Sequence, residues 1–140
     1  MKKLLIILLL IASNAWAYPP EVKAILGEAE GEYPKEGKKA FIAIGEAIRN
    51  RGNLKGVYGG RVIVESKGSV YRKSKKGLRK LNDKLVKESV KAWEESSKTN
   101  LTNGANGWGN DSDIKKFKQQ GWWSDDLVTA KIGDHTFYRG

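Results

Sequence analysis

The chain of 140 residues contains no cysteine, three prolines and a single histidine, His135. Without cysteine there is no disulfide framework, no thiol nucleophile and no thiolate metal site, so packing alone must hold the core. One histidine cannot supply the cluster of imidazoles on which a zinc centre rests, and a Ser-His-Asp triad would have to be built around it alone. No metal and no other cofactor is therefore expected. His135 itself reads as a hydrogen-bonded residue packed near Phe137 and Tyr138. Long apolar runs are also lacking beyond the first residues, so no later stretch can cross a bilayer. No cysteine lies near the end of that first run to carry a lipid, and no membrane anchor is expected.

The first residues have the three parts of an export leader. Lys2 and Lys3 are its positive region, Leu4 to Ala12 its apolar region, and Ala15-Trp16-Ala17 an A-x-A cleavage site. The apolar run is well short of the ~20 residues needed to span a membrane. Cleavage after Ala17 divides the chain into a leader, 1–17, and a mature part, 18–140, whose 123 residues suit one domain with a single core. The mature protein is expected outside the cytoplasm, secreted or periplasmic. Of the whole-chain charge of +10, Lys2 and Lys3 contribute two and residues 1–17 hold no acid, so the mature part carries +8. Its partner should be anionic, unless the charge serves solubility alone. Nucleic acid is the usual partner of so basic a chain, but an exported protein meets the anionic cell wall and membrane surface first, and nucleic acid is not expected.

After an extended Tyr18-Pro19-Pro20, the residues Val22, Ile25, Leu26 and Ala29 recur at helical spacing. Gly31 is the expected stop. A second helix carries Gly37, Ala40, Phe41, Ile44, Ala47, Ile48 and Arg51 on its period, with Gly52 as terminator. From Asn53 to Gly77 glycines interrupt the pattern, and Arg61-Val62-Ile63-Val64 is the strand candidate, while Arg72, Lys73, Lys75 and Lys76 read as a solvated surface segment. A third helix should follow Asn82 as N-cap, with Leu85, Val86, Ser89, Val90 and Trp93 on one face. Residues 100–112 read as an ordered loop that buries Leu101, Ala105 and Trp108. A last short element at Leu127–Ile132 and a strand or extended tail at 133–138 close the chain.

Three carboxylates end the first predicted helix. Glu28 and Glu32 are four residues apart and would share one helix edge, where like charges repel by about 3 kcal/mol at ~6 Å and an effective dielectric of ~20. The negative end of the helix dipole acts in the same direction. Such a pair is a candidate for the general acid of glycosidic cleavage, a carboxyl that must hold a proton. Spacing alone fits three solvated surface acids better. Glu28 flanks the apolar stripe, Glu30 lies on its other flank beside Leu26, and Glu32 falls beyond the stop, so Glu28 is preferred. Trp108, Trp122, Trp123 and Tyr138 have faces suited to stacking on sugar rings, and one or two of them should face a cleft.

In this setting Gly27-Glu28-Ala29-Glu30-Gly31-Glu32, then Gly37-x-x-Ala40, then Ile48-Arg49-Asn50-Arg51 resemble the opening of the cell-wall hydrolases related to the spore-cortex-lytic enzyme SleB. Ala92-Trp93-Glu94-Glu95-Ser96, Leu101-Thr102-Asn103-Gly104-Ala105 and Ile132-Gly133-Asp134-His135-Thr136-Phe137-Tyr138 are similar to its later blocks, in the same order. The resemblance implies an α+β, lysozyme-like, predominantly helical single domain with a small β-sheet. It also implies a peptidoglycan glycan strand as substrate, cut between N-acetylmuramic acid and N-acetylglucosamine by lytic transglycosylation. Glu28 would be the acid and base, with Glu32, Thr102 and His135 shaping the cleft; Trp108 and Tyr138 are binding or supporting candidates on their aromatic faces. The chain departs from the family's pattern at Glu30, at Asn106 and Gly107, and between Glu65 and Arg72, where the usual Gln-Phe-Ser block is missing. Two other readings stay open. A hydrolytic muramidase needs a second carboxylate, for which Asp111, Asp113 and Glu46 are candidates. A basic exported module that binds an envelope polyanion without catalysis would explain the charge but not the acidic cluster.

Overall fold

The computed structural model describes residues 18–140, so the expected leader lies outside the described residues. The fold is mixed α+β. Helix α1 (Pro20–Ala29) begins with proline at its first position and buries Val22, Ile25, Leu26 and Ala29. It ends at Ala29, two residues before the glycine expected to stop it, but Gly31 itself is not left-handed. The chain runs on through a 3₁₀ turn at Glu30–Glu32 into the short helix α2 (Tyr33–Glu36), and the left-handed residue that breaks it is Gly37, at φ 65°. Helix α3 (Lys38–Arg51) ends as expected on left-handed Gly52. Every residue from Ala40 to Ile48 is buried, so α3 is the central element with neighbours on all sides.

The strand expected at 61–64 begins two residues later. Gly59–Val62 forms a 3₁₀ turn, and β1 (Ile63–Ser66) follows it. β2 (Ser69–Ser74) and β3 (Gly77–Lys80) continue an antiparallel meander through the segment read as surface loop. The β1–β2 turn places both Lys67 and Gly68 at positive φ, which matches the twist of a two-residue hairpin. Lys73, Lys75 and Lys76 are exposed, whereas Arg72 is not a solvated side chain: it pairs with Glu30 at 2.7 Å and donates to the Gly27 carbonyl at 2.7 Å.

Helix α4 (Asp83–Glu95) is capped by the Asn82 side chain, which accepts the Lys84 N–H at 2.8 Å. Val86 and Ala92 face the core beside α1 and α3, and Gly45 of α3 leaves room for the Ser96 side chain, where a Cβ would come within 2.9 Å. Beyond the loop, β4 (Gly107–Gly109) leads into α5 (Asp111–Gln120), a helix absent from the sequence reading. Leu101 of that loop is exposed, contrary to expectation, while Ala105 is fully buried. A 3₁₀ turn at Asp125–Leu127 precedes β5 (Val128–Ile132) and β6 (His135–Tyr138), and the second sheet has the order β4-β6-β5. Phe137 carries that sheet into the core. Among the described residues no helix is long and apolar enough to cross a membrane.

The first described residue is tied down. Tyr18 packs against the core, and its backbone N–H donates to Glu65 Oε1 at 3.1 Å, beside Lys23 at 3.9 Å from the same oxygen. If the leader is cut after Ala17, that nitrogen becomes an ammonium facing a carboxylate that is mostly buried. The chain starting with a free Tyr18 amine should therefore be more stable than its Nα-acetylated form, which keeps the N–H and loses the charge. The expected difference is about 1 kcal/mol, roughly 3–5 °C in Tm at this size. Equal melting of the two forms in a thermal scan would show the charge to be irrelevant there.

Candidate active site

Glu28 lies in the last turn of α1, and two glycines determine what surrounds it. A Cβ on Gly27 would overlap the Gly59 carbonyl, and a Cβ on Gly59 would stand 2.8 Å from Glu28 Cγ and Oε1. Only glycine at both positions lets the 3₁₀ turn at Gly59–Val62 lie directly against α1. The Gly59 N–H then donates to Glu28 Oε1 at 3.2 Å. On the other side the Trp108 indole N–H, delivered by β4, donates to Oε2 at 3.3 Å. One donor on each oxygen fixes the plane of the carboxyl group.

That carboxyl group lines an open cleft of about 560 Å³ together with Arg51, Tyr58, Trp108, Asp113, Phe117 and Tyr138. Arg51 comes from the end of α3. Its guanidinium holds the two bordering loops, donating to the Asn106 carbonyl at 3.3 Å and to the Lys55 carbonyl. Tyr138 packs against Gly107, where a side chain would overlap its ring. Burial pushes the Tyr138 phenol above its ordinary value and the Asp113 carboxylate adds to this, against the opposing pull of Arg51. The hydroxyl thus keeps its proton and can donate a hydrogen bond. Behind it, Phe117, Trp122, Trp123 and Tyr138 form a ring cluster with centroids 4.6 to 6.0 Å apart.

Asp113 reaches the cleft because α5 begins with a capping box. The Asn110 side chain accepts the Asp113 N–H at 2.9 Å, and Asp113 Oδ2 accepts the Asn110 N–H at 3.0 Å. The Asn-x-x-Asp spacing is the one local signal in the sequence from which α5, and with it Phe117, is readable. Of the other candidate carboxylates, Asp111 is almost wholly exposed and Glu46 is buried in α3.

Of the expected site residues, Glu28, Trp108 and Tyr138 come together in this cleft, and Glu32, Thr102 and His135 do not. Glu32 belongs to the 3₁₀ turn after α1, and its carboxylate touches Gly133 in the β5–β6 turn. Glu28 and Glu32 therefore have different neighbours and do not form the expected edge pair. Thr102 is fully buried and bonds Glu46 through both its N–H and its hydroxyl, at 2.9 Å each. His135 is half-buried, edge-on to Phe137. Glu30 is not a solvated acid either, since Arg72 and Arg79 both pair with it. Among the described residues no group of His, Cys, Asp and Glu is arranged to hold a metal ion. Searches against known protein families, curated proteins and solved structures find no match to this chain.

Proposed function

We propose that this chain cleaves the glycan strand of peptidoglycan, with Glu28 as the proton donor in a lysozyme-like domain that acts outside the cytoplasm. The observation that carries the reading is the setting of Glu28: a carboxyl group oriented by Gly59 and Trp108 in a cleft walled by Tyr58, Trp108, Phe117 and Tyr138. Aromatic faces and a positioned acid are what binding and breaking a sugar chain require. The ordered sequence blocks that resemble those of the SleB-related hydrolases support the same substrate.

In the proposed reaction Glu28 gives its proton to the glycosidic oxygen as the bond from the N-acetylmuramic acid anomeric carbon breaks. The C6 hydroxyl of the same sugar attacks that carbon, and the Glu28 carboxylate takes up the hydroxyl proton. Intramolecular attack has the advantage of a high effective molarity. The products are a free 4-hydroxyl on N-acetylglucosamine and a 1,6-anhydro end on the muramic acid.

Asp113 favours a second reading. It shares the cleft with Glu28, and its Oδ1 is not part of the capping box, so it is a candidate to activate water in a hydrolytic muramidase. Digestion of purified peptidoglycan separates the two. Transglycosylation gives fragments one water lighter than hydrolysis, with no oxygen-18 taken from labelled water. Asp113→Asn should then keep cleavage within about tenfold, because an amide can still serve the cap. Reducing ends carrying oxygen-18, with loss of activity in Asp113→Asn, would replace transglycosylation by hydrolysis.

A further inference from the structure

The charge of the mature chain is concentrated in one place. Residues 66–82 hold seven Lys and Arg and no acid, so of the +8 on residues 18–140 only +1 belongs to the rest. This segment is the β2–β3 hairpin with its flanking residues. Arg72 and Arg79 face each other across it, an arrangement that repels unless compensated. Glu30 pairs with both and pins the base of the hairpin to the end of α1, two residues from Glu28.

Lys73, Lys75, Lys76 and Lys80 are different. They are exposed, and among the described residues none of them makes an ion pair. Lys73 and Lys80 lie opposite Leu78 and Tyr71, on the face away from Arg72 and Arg79, and Lys75 and Lys76 form the tip. All four residues of β3 are exposed, so this strand contributes little to the core. A lysine or two on an edge strand would suffice to block strand pairing. Four uncompensated cations on a projecting hairpin exceed that need and raise its self-repulsion.

We propose that the β2–β3 hairpin is a binding arm for a linear phosphodiester polymer of the cell envelope, separate from the cleft and independent of what Glu28 does. Charge complementarity selects a polyanion. Leu78 is the one exposed large apolar residue on the hairpin, too little for insertion into a lipid surface. The hairpin also carries no exposed aromatic ring on which nucleic-acid bases could stack. What remains is attraction to backbone phosphates, which is strong at low salt and fades as counterions compete.

The test uses the chain from Tyr18, which contains every core residue described, with poly(glycerol phosphate) as probe. Its affinity should fall steeply between about 50 and 200 mM salt. Replacing Lys73, Lys75, Lys76 and Lys80 by Gln should weaken binding at least about tenfold at the lower salt and reduce the log–log salt slope by roughly three. Replacing Lys84, Lys87, Lys91 and Lys98, a set of the same charge, should change affinity less than about threefold. Cleavage of peptidoglycan stripped of anionic polymer should not differ between the two sets, and Glu28→Gln should bind the polymer normally. Equal losses in both sets would mean that net charge alone attracts the polymer and would overturn the proposal. So would tighter binding to anionic phospholipid vesicles or to duplex DNA than to poly(glycerol phosphate).

Discussion

Glu28→Gln should reduce cleavage of purified peptidoglycan by about a thousandfold or more and leave the fold intact. The amide fills the same space beside Gly59 but cannot give a proton to the leaving oxygen, and general acid catalysis by a placed carboxyl group is worth about 10²–10⁴ in rate. Both carboxylate oxygens accept, one from the Gly59 N–H and one from the Trp108 indole. Glutamine has one acceptor for these two donors, so one bond is lost and stability should drop by roughly 1 kcal/mol. Glu32→Gln, whose side chain contacts the β5–β6 turn, should retain cleavage within a few-fold. Fragment release followed by chromatography decides between them. If Glu28→Gln cleaves like the parent while Glu32→Gln is dead, the acid has been misassigned within the cluster. If both variants remain active, no carboxylate of this turn is the acid.

The parts of the fold legible in the sequence are those whose local rules are unopposed. Gly52 and Asn82 mark helix ends because a left-handed stop and an Asx cap act within a few residues. Gly31 falls where α1 ends, but it does not turn left-handed, so the chain passes through a 3₁₀ turn and Tyr33-Pro34 begins a new helix. The β2–β3 hairpin lies where the sequence indicates at most a short sheet, because its side chains are almost all polar and give no alternation, while its register comes from turns. Helix α5 was missed because only Ile114 and Phe117 are apolar in it.

The candidate site was legible at Glu28, Trp108 and Tyr138 and not at Arg51 or Phe117. Its cleft is closed by contacts across 80 residues, such as Trp108 to Glu28, which no local pattern encodes. Thr102 shows the opposite error. It lies in a sequence block that resembles a hydrolase motif, and what it does is hold the main chain in place from inside the core.

That holding arrangement carries the largest expected effect on stability. Glu46 is buried in the middle of α3, and its carboxylate accepts four hydrogen bonds from one loop: Thr99 Oγ1 at 2.5 Å, the Leu101 N–H at 2.8 Å, and the Thr102 N–H and hydroxyl at 2.9 Å each. One turn further along the same helix face, the Asn50 amide donates to the Ala105 carbonyl at 2.8 Å. Glu46 and Asn50 thus clamp residues 99–105 onto α3, and this loop leads directly into β4 and Trp108. With all its acceptor capacity used and the group buried, Glu46 is not free to act as a second catalytic carboxylate. Glu46→Leu should destabilise the fold by about 4 kcal/mol or more, because it strands four donors at about 1–3 kcal/mol each, softened by loop relaxation. Against a total of about 5–15 kcal/mol this is a large share. Glu46→Gln should lie between, since its carbonyl keeps the Thr102 pair while its NH₂ opposes the Leu101 N–H. Urea denaturation of the three proteins reads the order directly. A Glu46→Leu midpoint close to that of the parent, with unchanged slope, would mean that the loop holds its place without Glu46.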